Sequence, residues 1–256
     1  MNLSIGGPDY LDYPFVDKVN EMGAEGIVFL SAIGNDGPRW GTLMSPADQV
    51  DVTGTGGIDW NSQIAGFSSR GMTVWELPTG YGRFKPDLVT FGASVTGSAM
   101  NGGCTQLSGT SVASPVMTGA MVALMSSVPP AERASRFNLA IIKQAIVETA
   151  KRLPRPGVFE QGSGKMDAYA AYEWLHSDKG KPHASALPAE LFLEQCPYMW
   201  PFCEQAIYAG GMPTIVNVTI LNSMGVVGWY AEAPVWRASN PGMDQIDIEF
   251  SYLEET

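Results

Sequence analysis

The sequence predicts an α/β fold built on a mostly parallel sheet, followed by the start of a β-rich region. Three observations carry this. A strand, a helix and a second strand follow one another within the first 32 residues, which is a βαβ unit. The second of those strands, Gly26-Ile27-Val28-Phe29-Leu30-Ser31-Ala32, is continuously apolar, as a strand buried on both faces must be. Beyond residue 190 the helical spacing gives way to alternation, as in Thr214-Ile215-Val216-Asn217-Val218-Thr219-Ile220-Leu221.

The elements follow in order. The chain opens on Met1-Asn2-Leu3-Ser4-Ile5-Gly6-Gly7, a strand running into a glycine turn. Phe15, Val16, Val19 and Met22 repeat at helical spacing and predict a helix over 14–25. A strand pair is expected at about 51–57 and 64–67. A buried helix follows at about 111–127, then an amphipathic helix at 138–152 and a last helix at 165–175. Residues 176–190 are polar, contain Pro182 and Pro188, and read as a linker. Strands at 214–221 and 245–250 place 191–256 in a second, β-rich domain.

Composition narrows the functions. The chain has 256 residues and a net charge of -11. With no Lys/Arg cluster, it lacks the basic patch that neutralising phosphates requires, so no nucleic-acid partner is expected. No transmembrane span is predicted either. The longest nearly uncharged apolar run, Val112 to Val128, contains Ser, Pro, Thr and Gly and reads as a helix buried in protein. No CxxC pair or His cluster predicts a metal site. Of the three cysteines, Cys196 and Cys203 bracket a short aromatic loop that a disulfide would close, or they are unpaired; the pairing of Cys104 stays open.

Leu107-Ser108-Gly109-Thr110-Ser111-Val112-Ala113-Ser114-Pro115 carries the chemistry. It sets Ser111 where a glycine turn meets the start of an apolar helix. The unpaired N–H groups and partial positive charge of a helix N-terminus favour negative charge developing on a substrate oxygen. Pro115 fits a first helical turn. Taken alone, the segment reads equally well as an N-capped core helix.

The company it keeps decides between the two. Gly109-Thr110-Ser111-Val112-Ala113-Ser114-Pro115 resembles the nucleophile signature of subtilisin-type serine proteases. Ser31-Ala32-Ile33-Gly34-Asn35-Asp36-Gly37 resembles their oxyanion loop, and Ser4-Ile5-Gly6-Gly7 their substrate-pairing strand. Lys85-Pro86-Asp87-Leu88-Val89 and Gly162-Ser163-Gly164-Lys165-Met166-Asp167-Ala168 match flanking stretches in the same order. The resemblance implies a subtilisin-like three-layer fold over residues 1–175 and a nucleophilic Ser111. Asn35 is then the oxyanion donor, and Ser4, Ile5, Gly6, Gly7, Ala32 and Gly34 line the substrate. Asn2-Leu3-Ser4-Ile5-Gly6-Gly7-Pro8-Asp9, Trp75-Glu76-Leu77-Pro78 and Cys196-Pro197-Tyr198-Met199-Trp200-Pro201 narrow it further. They resemble a membrane-anchored, calcium-dependent branch of that family, which cuts membrane-bound precursor proteins in the lumen of the Golgi and endoplasmic reticulum after Arg-x-x-Leu-type sequences. Calcium is thereby implied, with no ligand identifiable in this stretch.

Asp9 and Asp12 follow directly on the substrate strand and would attract a basic substrate residue, or are solvated loop charges. Asn217-Val218-Thr219 is a glycosylation sequon, consistent with a secretory route. Asn2-Leu3-Ser4 is another, discounted because its Ser belongs to the substrate strand.

One half of the chemistry is missing. A serine protease needs a base and a carboxylate to orient it, and in subtilisins both precede the nucleophile. The two histidines, His176 and His183, follow Ser111 and fall at or in the predicted linker, where they read as solvated side chains. The expectation is that Met1 is an internal position and that a preceding segment supplies both groups. The alternative is a non-catalytic, truncated paralogue whose cleft binds peptides. An α/β-hydrolase is excluded because no Gly-x-Ser-x-Gly elbow surrounds Ser111.

Overall fold

The computed structural model describes residues 1–8, 12–73, 82–190, 216–235, 237 and 248–251. In chain order its elements begin with β1 (Asn2–Leu3), α1 (Tyr13–Ala24), β2 (Phe29–Ala32) and β3 (Val52–Ile58). Next come β4 (Gly71–Met72), β5 (Phe84–Lys85), β6 (Leu88–Phe91), β7 (Val95–Ser98) and β8 (Cys104–Leu107). The helices α2 (Thr110–Ser126), α3 (Pro130–Arg136), α4 (Leu139–Val147), α5 (Val158–Gln161) and α6 (Ala168–Leu175) follow, then β9 (Ala184–Leu187) and β10 (Thr219–Asn222).

The central sheet runs β1-β2-β3-β6, with every neighbouring pair parallel. Its two faces are covered by different helices, because successive strand residues point to opposite sides. Phe29 and Val52 pack with Val19 of α1 on one face. Leu30 and Leu88 pack on the other with Met117, Met121 and Leu124 of α2, Ile142 and Ile146 of α4, and Trp174 of α6. The result is the expected α/β architecture in three layers.

Two boundaries moved for local reasons. The helix expected over 138–152 ends at Val147, and the Lys151 backbone instead exchanges two hydrogen bonds with Lys165. That bridge also delays α6, which begins only after Asp167, whose carboxylate caps it by accepting from Tyr169 N and Ala170 N. The strand expected at 64–67 is reduced to one bridge, Ile58 to Ile64, across a turn whose Asp59 side chain accepts from Asn61 N and Gln63 N.

The stretch 176–190, expected as a linker, holds a 3₁₀ turn at Asp178–Gly180 and the strand β9. β9 pairs antiparallel with β10, register Ala186 to Ile220. Buried Gln144 of α4 ties both down, its Nε2 lying 3.0 Å from each of His183 O, Ser185 Oγ and Leu221 O, two of which its N–H groups can serve at once. The chain separates into two units, Met1–Ser223 and Met224–Thr256. Cys196, Cys203 and residues 245–247 of the strand expected at 245–250 lie outside the described residues, and 248–250 form no strand. Cys104 is exposed and in no disulfide.

Candidate active site

The site is assembled where the parallel strands end, the usual place for ligands in such sheets. β2 runs into the loop Ile33–Gly37, and β6 runs into Gly92, whose carbonyl accepts from Gly109 N at 2.8 Å. Gly109 caps α2 with φ 154° and ψ 159°, a conformation closed to residues with a Cβ. It delivers Ser111 as the second helical residue, half-buried, with its N–H unclaimed by any backbone acceptor among the described residues. That N–H is one of the donors every helix start leaves over. Pro115, expected in the first turn, is instead the sixth helical residue, so the Ser111 carbonyl loses the N–H it would have received.

Asn35 is held against this helix start. Its Oδ1 accepts from Thr110 N at 2.8 Å and lies 3.0 Å from Thr110 Oγ1. Both contacts are to the oxygen, which fixes the amide's orientation and leaves Nδ2 available as a donor. A point one Cβ length from Gly109 lies 3.6 Å from Asn35 Nδ2, 3.7 Å from Asn35 Oδ1 and 3.7 Å from Ser111 N. With Oδ1 taken up by Thr110, Nδ2 and Ser111 N are the two nitrogen donors bordering this space, the pairing an oxyanion needs.

Thr110, to which the motif alone assigns no role, locks the two segments together. Its hydroxyl accepts from Gly34 N at 3.2 Å and lies 3.1 Å from Gly34 O, and the side chain is fully buried. Gly34 has φ 117°, and a Cβ there would fall 2.6 Å from Ser69 Oγ. Ser69 in turn brackets the loop, its N donating to Gly34 O and its Oγ accepting from Asp36 N. The signal for Thr110 was present in the motif but points nowhere until the loop is folded against it.

The proposed substrate segment leaves the sheet after Leu3. Ser4, Ile5 and Gly6 lie outside the ladder, Ile5 70% exposed, and the chain is recaptured at Gly7, which exchanges two backbone bonds with Ser45. Ala32 ends β2 and is buried, as is Gly34. Asp12 is exposed at the start of α1, making no capping bond, while Asp9 lies outside the described residues.

The histidines are elsewhere. His176 Nε2 is 2.9 Å from Ser127 Oγ, at the far end of α2, about 24 Å of helix from Ser111 at 1.5 Å per residue. His183, expected to be solvated, is engaged on both ring nitrogens, Nδ1 with Lys181 O and Nε2 with Glu148 Oε1, each at 2.9 Å. Both partners accept, which favours the protonated ring, and the Lys181 carbonyl and the Glu148 carboxylate raise its pKa above the usual histidine value.

A second buried polar cluster sits near the opposite end of the strands. Asp87 receives Lys85 Nζ at 2.7 Å, Lys143 Nζ at 2.8 Å and Gly54 N at 2.7 Å. Lys85 Nζ also donates to Gln49 O and Val52 O. Burial pushes Lys85 down to about 7. Burial also works to raise Asp87, but the Lys143 and Lys85 ammoniums overcome it and hold the carboxyl below its ordinary range. Three acceptors around Lys85 Nζ match the three protons of an ammonium, so the geometry favours the charged form.

Comparison with known proteins places this arrangement. The model of the Subtilase family matches residues 1–164. The chain belongs to the subtilase family. A second model, "MBTPS1, third Ig-like domain", matches residues 187–255. The membrane-bound transcription factor site-1 protease of Mus musculus is 58% identical over 253 residues, 98% of this chain and 24% of that protein. The subtilisin-like protease SBT6.1 of Arabidopsis thaliana is 54% identical over 252 residues, again 98% of this chain and 24% of the relative. This subtilase chain thus spans about a quarter of the length of these relatives. Among solved structures, the prenylagaramide maturation protease PagA superposes with a TM-score of 0.53 at 22% identity, covering 68% of this chain and 60% of its own, which shows the fold alone.

Proposed function

We propose that this chain carries the nucleophile and oxyanion half of a serine endopeptidase of the site-1 protease type. Ser111 Oγ attacks the scissile carbonyl to form an acyl-enzyme, while Asn35 Nδ2 and Ser111 N hold the oxyanion. The observation that carries the reading is the pair of donors flanking one space beside Ser111. The segment Ser4–Gly7 pairs with the extended substrate, and the strand end at Ala32 with Gly34 completes the wall. Asp12 and Asp9 attract a basic residue a few positions before the cut.

Proton transfer needs groups this half does not bring together, since His176 and His183 are engaged elsewhere. The likeness to site-1 proteases over 98% of the chain supports membrane-bound precursor proteins as substrates and the lumen of the Golgi and endoplasmic reticulum as the place of action. It also favours glycosylation at Asn217 and a peptidase part ending near residue 175 ahead of a β-rich domain beginning at 191. No single described helix is long and apolar enough to cross a membrane. Calcium is suggested by the family; among the described residues no three His, Cys, Asp or Glu side chains gather, so a site here would draw on backbone and amide carbonyls as well.

The test compares this chain with the protein made from the complete reading frame that contains it. Peptides with Arg or Ala four residues before the cut serve as substrates. The chain alone should release no product, because loss of the general base in subtilisin itself costs about 10⁶ in turnover. The complete protein should cleave the Arg peptide faster and lose all cleavage on Ser111→Ala. Hydrolysis by the chain alone, or cleavage that survives Ser111→Ala, refutes the reading.

A further inference from the structure

β1 pairs in parallel with β2 and leads directly into Ser4–Gly6. The side chain of Asn2 ties this strand to the nucleophile helix. Its Oδ1 accepts from Ser114 Oγ at 2.6 Å and from Thr118 Oγ1 at 3.1 Å. Its Nδ2 donates to Ser4 Oγ at 2.9 Å. Ser114 is fully buried and stands three residues after Ser111, less than one helical turn. One carboxamide therefore spans the nucleophile helix, β1 and the first residue of the exposed segment.

We propose that Asn2 is a positioning residue that fixes the height of the substrate-pairing segment Ser4–Gly6 relative to Ser111. The inference rests on the function proposed above for Ser111 and Ser4–Gly7. Its physical basis is that Ser4–Gly6 forms a three-residue span between two anchors. The far anchor is the Gly7–Ser45 pair of backbone bonds. The near anchor consists of Ser31 Oγ donating to Leu3 O at 3.0 Å and the Asn2 network. A hydrogen bond to α2 is directional where an apolar contact would slide, so the polar pair sets a unique register between strand and helix. A substrate paired to that segment inherits the register, and its scissile carbonyl is placed against Ser111 accordingly. The same contacts engage both amide atoms of Asn2, which removes it as a glycan acceptor in the folded chain.

The experiment uses the protein of the complete reading frame, with two readouts. One is kcat/KM for a peptide that spans the paired segment. The other is the rate at which diisopropyl fluorophosphate, too small to reach that segment, labels Ser111. Asn2→Leu removes every contact at similar volume, and Ser114→Ala with Thr118→Val removes the partners instead. Asn2→Asp keeps the acceptor toward α2. Both disruptive variants should lower peptide kcat/KM by about 10- to 100-fold, the scale expected of a displacement near 1 Å, with labelling and the Asn2→Asp variant within about threefold of the unmodified protein. Unchanged peptide cleavage in both disruptive variants overturns the proposal. So does labelling that falls in step with peptide cleavage, because that is the mark of a general structural defect. If Asn2→Leu does not fold, the Ser114/Thr118 variant alone decides. Failure of the unmodified protein to label at Ser111 would instead overturn the function on which the inference stands.

Discussion

Replacing Thr110 with Val isolates the contribution of one hydroxyl to the oxyanion pair. Val keeps the shape and the backbone N–H that donates to Asn35 Oδ1 at 2.8 Å. It removes the hydroxyl that accepts from Gly34 N and approaches Gly34 O and Asn35 Oδ1. Gly34 is buried, so its N–H is stranded, at a cost of about 1–3 kcal/mol in stability. In turnover the ceiling is set by complete loss of the Asn donor, about 2.7–4 kcal/mol as measured in subtilisin itself. Asn35 keeps one of its two contacts to Thr110, so roughly half the smaller figure is expected, about 1.4 kcal/mol or tenfold in kcat. The assay is steady-state cleavage of a fluorogenic peptide by the protein of the complete reading frame, with Thr110→Ser and Asn35→Ala alongside. Ser restores the hydroxyl and should recover most of the loss. A Thr110→Val variant with unchanged kcat, or one as impaired as Asn35→Ala, refutes the argument that the hydroxyl tightens the carboxamide without being its sole support.

Two further outcomes follow from the buried charges. Asp87→Asn leaves the Lys85 and Lys143 ammoniums buried without their carboxylate, and breaking such a cluster costs about 3–5 kcal/mol. At about 2–4 °C per kcal/mol for a chain of this size, thermal unfolding should shift down by roughly 6–20 °C; a shift below about 2 °C would show that the lysines find other partners. His183 has a raised pKa in the folded chain, so its contact with Glu148 stabilises fully below the ordinary histidine value of 6.5 and fades as pH rises through the folded value. His183→Gln should therefore narrow the difference in melting temperature between pH 5.5 and pH 8.5, and an unaltered difference would exclude the contact as its source.

The sequence by itself determined the α/β class, the opening strand–helix–strand unit and the helices α1 and α2, and it singled out Ser111 and Asn35 as candidates. Each is written in a local code: a period of hydrophobicity, a glycine turn, a short motif. The spacing of residues 14–25 and 111–127 predicts α1 and α2 to within a residue of their ends, because apolar spacing is a property of consecutive residues. Contacts between distant residues have no such code. Thr110 is 76 residues from Gly34, Asn2 is 112 from Ser114, and Lys143 reaches an Asp87 that lies in another motif altogether. The length of α4 and the start of α6 depended on Lys151 meeting Lys165, and the strand within 176–190 depended on β10 and Gln144. His183 read as solvated because nothing beside it in the chain is a carboxylate, whereas folding brings Glu148 to it from 35 residues away. Sequence fixes which groups are available. Tertiary structure decides which of them share a dielectric, a hydrogen bond or a charge, since those energies depend on separations of a few ångströms that only packing sets.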